Sequence, residues 1–114
     1  MTAAVSQPLE ALAVANRVRL ARAALRRQIG GLSADLGRDR LAGLLEDPAW
    51  RAEGPAATAT VVSVLTWPAL VGPVRARRLV RRLGISDSRL VRDLTGRQAA
   101  QVAAHLRAER GGRW

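Results

Sequence analysis

Cysteine, lysine, phenylalanine and tyrosine are all missing from this 114-residue chain. Without cysteine there is neither a disulfide framework nor a thiolate metal site, and a reducing, cytoplasmic location fits. Without Phe and Tyr, only Trp50, Trp67 and Trp114 remain as platforms for stacking bases, which argues against single-stranded nucleic acid as a partner. There is one histidine, His105, and the acids are scattered. No Gly-rich phosphate loop with a following Lys, no metal-ligand spacing and no nucleophile motif occurs, so the expectation is no enzyme: no catalytic residue, metal, cofactor or small-molecule substrate. The longest uncharged run, between Glu53 and Arg75, is broken by Pro55, Pro68, Gly72 and Pro73. A membrane span is therefore not expected, nor does the start read as a signal peptide.

What is present is small and aliphatic, or basic. Ala, Val and Leu supply nearly all of the 48% apolar residues, a composition that favours close-packed helices over sheets. The length suits one domain over residues 1–114 with one modest core. Net charge is +10, and all 19 basic residues are arginine. They are uneven along the chain: residues 1–55 hold eight arginines against six acids, residues 56–114 eleven against three. Codon bias accounts for the missing lysines, but chemistry still sees planar, permanently charged groups that grip phosphate with two parallel hydrogen bonds. Such a charge block points to a polyanion, either nucleic acid or an anionic surface.

The periodicity predicts a long basic N-terminal helix over residues 8–29, opened by Pro8 and ended by Gly30-Gly31, with Val14, Val18, Ala21, Leu25 and Ile29 as its buried stripe. Ser33 caps a second helix, Ala34 to Glu46, expected to bury Leu36, Leu41, Leu44 and Leu45. From Asp47 to Ala57 a loop with a single helical turn at Trp50 is expected. Thr58 or Thr60 opens a short element around Val61–Leu65; its β-branched residues permit a strand, but helical surroundings favour helix. A helix from Pro73 to Leu83 ends at Gly84, Ser86 caps a short helix to Val91, and Thr95 with Gln98 forms a capping box for a last helix, Gly96 to Arg110. Residues 111–114 read as a mobile tail. The expected fold is all-α, a long N-terminal helix packed on a compact helical domain.

The functional signal lies in Leu70-Val71-Gly72-Pro73-Val74-Arg75-Ala76 and the arginines after it, Arg77, Arg78, Arg81 and Arg82. A glycine at a helix entrance can hold a phosphate on free amides, or be merely a structural turn. The arginines can be a solvated face, yet no acid occurs between Gly72 and Ser86, and a solubilising face usually mixes signs. Nucleic-acid contact is the preferred reading, with Arg75, Arg78 and Arg82 on one side of the helix.

Three segments, Val71-Gly72-Pro73-Val74-Arg75-Ala76, Leu83-Gly84-Ile85-Ser86 and Ser88-Arg89-Leu90-Val91-Arg92-Asp93-Leu94-Thr95, resemble the actinobacterial integration host factor family, nucleoid-associated proteins with a helix-two-turns-helix motif. The resemblance spans Val61 to Leu106 and implies a helix-two-turns-helix region over residues 58–110. It also implies architectural, largely sequence-independent binding of duplex DNA in the nucleoid, bending or compacting it, by a monomer. Gly72, Val74, Arg75 and Ala76 would form the phosphate clasp, with Arg78 and Arg82 beside it, and Arg89 and Arg92 would reach the minor groove. Pro73, Leu90 and Asp93 depart from the family pattern, each in the direction of weaker binding. The alternatives are a structured-RNA-binding protein, since a small-subunit ribosomal protein uses a similar turn, and a protein-interaction adaptor.

Overall fold

A computed structural model of the chain describes residues 2–108, residues 2–7 as backbone alone. The predicted tail at residues 111–114, and the end of the last helix at Arg110, lie outside the described residues. Six α-helices follow one another: α1 (Thr2–Gly30), α2 (Ala34–Glu46), α3 (Pro48–Glu53), α4 (Val61–Leu65), α5 (Pro73–Arg82) and α6 (Gly96–Ala108), with one 3-10 turn at Val91–Asp93. The all-α class and the long N-terminal helix packed on a helical bundle are as expected; among the described residues there is no β-strand, only an isolated bridge between Thr60 and Leu90.

Local signals place most helix ends. Ser33 accepts the Leu36 amide at the start of α2, and Thr60 accepts that of Ser63 at the start of α4. The Thr95–Gln98 box closes both ways, Gln98 N–H donating to Thr95 Oγ1 (3.0 Å) and Thr95 N–H to Gln98 Oε1 (3.1 Å). After α5 the Ile85 amide reaches back to the Val80 carbonyl and the Gly84 amide to that of Arg81, with Gly84 at φ 73°, where only glycine sits without strain.

Five expectations need correction, one of them Leu36 of α2, expected in the core and 61% exposed. Helix α1 begins at Thr2 rather than Pro8, so Pro8 lies inside it. Its predicted stripe is buried only at the C-terminal end: Ile29 is buried and Leu25 half-buried, while Val14, Val18 and Ala21 are exposed. The bundle touches only the last turns of the helix. The single helical turn expected at Trp50 is longer than one turn: Asp47 accepts the Ala49 amide and Pro48 takes the first helical position, producing α3 with Trp50 inside it. The helix expected from Ser86 does not form. Instead the Val91 amide donates to the Ala59 carbonyl, that of Arg92 to Ala57, and the Val61 amide to Arg89, so residues 89–92 are stitched to residues 57–61, closing off the stretch that holds α4 and α5.

The core is the α2–α6 seam closed over by α4 and α5. Leu41, Ala42 and Leu45 meet this core from α2, Ala99, Val102, Ala103 and Leu106 from α6, Val61, Val64 and Leu65 from α4, and Ala76, Leu79 and Val80 from α5. Small residues at these positions let helix backbones approach closely, with Trp67 as the one large ring in the core. Arg38, 1% exposed, lies among them, its guanidinium paired with Asp35.

Across the same seam Arg107 of α6 donates to Asp39 (3.2 Å) and to Glu46 (2.6 Å) of α2. The hydrogen bond from Arg107 holds the Glu46 carboxyl below its ordinary value of 4.5. A depressed carboxylate contributes stability that is present above its unfolded pKa and lost as pH falls through its folded one. Glu46→Gln is therefore expected to lower the melting temperature slightly at neutral pH, and the gap from the parent chain should close below about pH 4 in circular-dichroism melts. A gap that widens in acid would contradict this account of the seam.

Candidate polyanion-binding face

Helix α5 divides sharply around its circumference. Ala76, Leu79 and Val80 point into the core, with Leu83 half-buried beyond them, and Arg75, Arg77, Arg78, Arg81 and Arg82 occupy the exposed remainder. Helical spacing makes these five arginines one continuous face with Val74 at its centre. Val74 is 64% exposed, so it belongs to the arginine side and not to the core side with which its apolar character suggests it should pack. Arg75, Arg78 and Arg82 converge with Leu79 and His105 of α6 in a shallow depression at one edge. Arg81 is paired with Asp87 at 2.9 Å. Among the described residues Arg77, Arg78 and Arg82 have no acidic or hydrogen-bonding partner, and their guanidiniums are free to receive an anion.

The turn before α5 is built differently from the clasp its sequence suggested. Gly72 has φ −91°, which any residue adopts, and a Cβ there would meet nothing within 4 Å. The residue in the left-handed region is Leu70, φ 69°, whose side chain is 74% exposed. A non-glycine residue held in this conformation costs on the order of 1–3 kcal/mol and concentrates at functional positions. Pro73 has no amide, Ala76 is fully buried with its amide donated to the Gly72 carbonyl at 3.1 Å, and Arg75 Nη1 turns back to the Leu70 carbonyl at 3.4 Å. Gly72, Val74, Arg75 and Ala76 thus do not present an unbroken row of outward amides: Pro73 has none and that of Ala76 is spent inside the helix.

Arg89 and Arg92 are the two ends of the stitched segment, Arg89 just before the 3-10 turn and Arg92 within it. Arg89 is half-buried, with Nη1 donating to the Asp93 carbonyl at 3.3 Å, while Arg92 is exposed. A second basic surface escaped sequence reading: Arg19, Arg22, Arg26 and Arg27 of α1 face Ser63 and Trp67 across a groove of about 390 Å³. Arg22 anchors that wall, donating to the Pro55 carbonyl and to Thr58 Oγ1, each at 2.9 Å. The three- and four-residue steps from Arg19 to Arg22 to Arg26 hint at such an arginine row, but its facing wall comes from a segment more than thirty residues on.

Among the described residues no helix is long and apolar enough to cross a membrane, and no three metal-ligating side chains cluster. Trp67 is buried and Trp50 half-buried, so neither offers a free stacking face.

No protein-family description, no curated protein and no solved structure matches this chain. The fold withdraws the resemblance to the integration host factor family. The β-arms with which integration host factor and HU proteins wrap DNA have no counterpart, since the described residues form no strand. With it go the architectural duplex-DNA function, the nucleoid role, and the clasp and groove-directed roles assigned to Gly72, Val74, Arg75, Ala76, Arg89 and Arg92.

Proposed function

We propose that this chain is a binding protein for structured RNA, holding the phosphate backbone on the arginine face of α5. The observation that carries the reading is the set of three unpartnered guanidiniums, Arg77, Arg78 and Arg82, on a helix whose opposite side is fixed in the core. A rigid row of forked donors fits closely spaced phosphates and reads no base. Structured RNA is favoured over single strands because neither Trp50 nor Trp67 is free to stack on a base. The α4–α5 pair, joined by the turns at residues 66–72, acts as a helix-two-turns-helix unit that presents this face. Leu70 and Val74 add an apolar tip that packs against sugar rings in the wide, shallow minor groove of A-form RNA. Catalysis has no part in this reading, and His105 serves as a neighbour of the arginines at the edge of the face.

The test is competition among an RNA hairpin, a DNA duplex of the same sequence and an unstructured RNA, followed by fluorescence anisotropy. The hairpin should bind tightest, and its log-log slope against salt should be about −3.5 to −4.5, the value for four or five phosphate contacts on a duplex. Equal or tighter binding to the DNA duplex, or an interaction insensitive to salt, would overturn the proposal.

A further inference from the structure

The first half of α1 has the least to hold it. Every residue from Pro8 to Ala21 is exposed. At 29 residues the helix is about 44 Å long, and the molecule measures 58 Å in its longest direction against 28 and 23 Å in the others. Leu9, Leu12, Ala13, Asn16 and Leu20 fall on one stripe of this half, and the three leucines are 60–66% exposed. A shallow depression follows the stripe, lined by Leu9, Leu12, Ala13 and Asn16 among others. Along one flank lie Glu10 and Arg17, seven residues and two turns apart. Among the described residues neither has an ion-pair or hydrogen-bonding partner, and Glu10 is the one acid before Asp35.

We propose that this stripe pairs, antiparallel, with the same stripe of a second copy of the chain. Charge selects both the occupant and the direction. A two-fold antiparallel pair sets each flank against itself running the other way, so Glu10 of each copy lies opposite Arg17 of the other. A parallel pair would instead set this flank against the opposite one, where Leu12 and Arg19 lie, and would leave Glu10 without a basic partner across the seam. In the antiparallel register Leu9 enters the gap between Asn16 and Leu20 of the second copy, and Ala13 near the centre lets the backbones approach. The same direction carries the two bundles, with their arginine faces, to opposite ends of the paired helices, where the self-repulsion of a +10 chain is least. The seam is short, below the standard interface size of about 1,600 Å², which makes the dimer weak and concentration-dependent.

Sedimentation velocity of the full, nuclease-treated chain over roughly 1–100 μM, the range for small interfaces, tests this. The expected result is a rise in mass from 12.2 kDa toward twice that value. Glu10→Arg and Arg17→Glu should each weaken association by about tenfold, by placing like charges opposite one another, and the double exchange should restore it. Leu12→Gln should leave a monomer with an unchanged helical spectrum, since Leu12 touches no core. A chain monomeric throughout overturns the proposal, as does a dimer that the double exchange fails to restore. No RNA enters the measurement, so its outcome is independent of the function proposed for α5.

Discussion

Replacing Arg78 and Arg82 together by alanine is expected to weaken binding to an RNA hairpin by about 30- to 100-fold, or about 2–3 kcal/mol. Each is an exposed guanidinium without a counter-charge, so removing it forfeits a charge-assisted contact to phosphate while leaving nothing unpaired in the free protein. Arg81→Ala should cost less than Arg78→Ala, because the Arg81 guanidinium is already shared with Asp87. By the same logic Asp87→Asn should tighten binding slightly. Anisotropy titrations at fixed salt measure these differences, and thermal melts of the variants should stay within about 0.5 kcal/mol of the parent chain, as for other surface substitutions. Equal losses at Arg78, Arg81 and Arg82 would mean that binding responds to net charge alone and not to the face.

The parts of the molecule legible in the sequence are those decided within a few residues. Ser33, Thr95 with Gln98 and Gly84 mark helix ends through local hydrogen bonds, and Pro73 marks one through its fixed φ at the first helical position; each does so in the structure. The arginine face of α5 was legible for the same reason: Ala76, Leu79, Val80 and Leu83 recur at helical spacing and leave the arginines outside. That spacing also contained the signal against a clasp at Ala76, which it places with the buried residues. What could not be read depends on distant segments. Val14 and Val18 have the right period to be buried, but nothing in a period says whether a partner lies against it, and the bundle ends before it reaches them. Ser86 looks like a cap, yet the carbonyls of Ala57 and Ala59 capture the Arg92 and Val91 amides and draw the segment out of a helix. Leu70 carries no warning of its left-handed backbone, since the adjacent Gly72 is the residue a turn would ordinarily use.

Truncating Leu45 to alanine is expected to lower stability by about 3–5 kcal/mol, whereas Leu36→Ala, nine residues earlier on the same helix, should change it by less than about 0.5 kcal/mol. The sequence assigns both leucines to the buried side of α2; the structure separates them, with Leu45 fully buried in the seam and Leu36 61% exposed. Leu45 lies in the one core cluster with Val102, Ala103 and Leu106 of α6, so its loss removes apolar surface from that core and leaves a cavity that neighbouring small residues cannot fill. In a domain whose total stability is about 5–15 kcal/mol, such a loss is a large share of the whole. Urea unfolding of both variants measures the contrast: the midpoint should fall steeply for Leu45→Ala with little change in slope, and stay in place for Leu36→Ala. A comparable drop in both would mean that Leu36 is covered in solution. Because the dimer seam on α1 is a separate surface, that result would require another contact on α2 and would leave the pairing of Glu10 with Arg17 untouched.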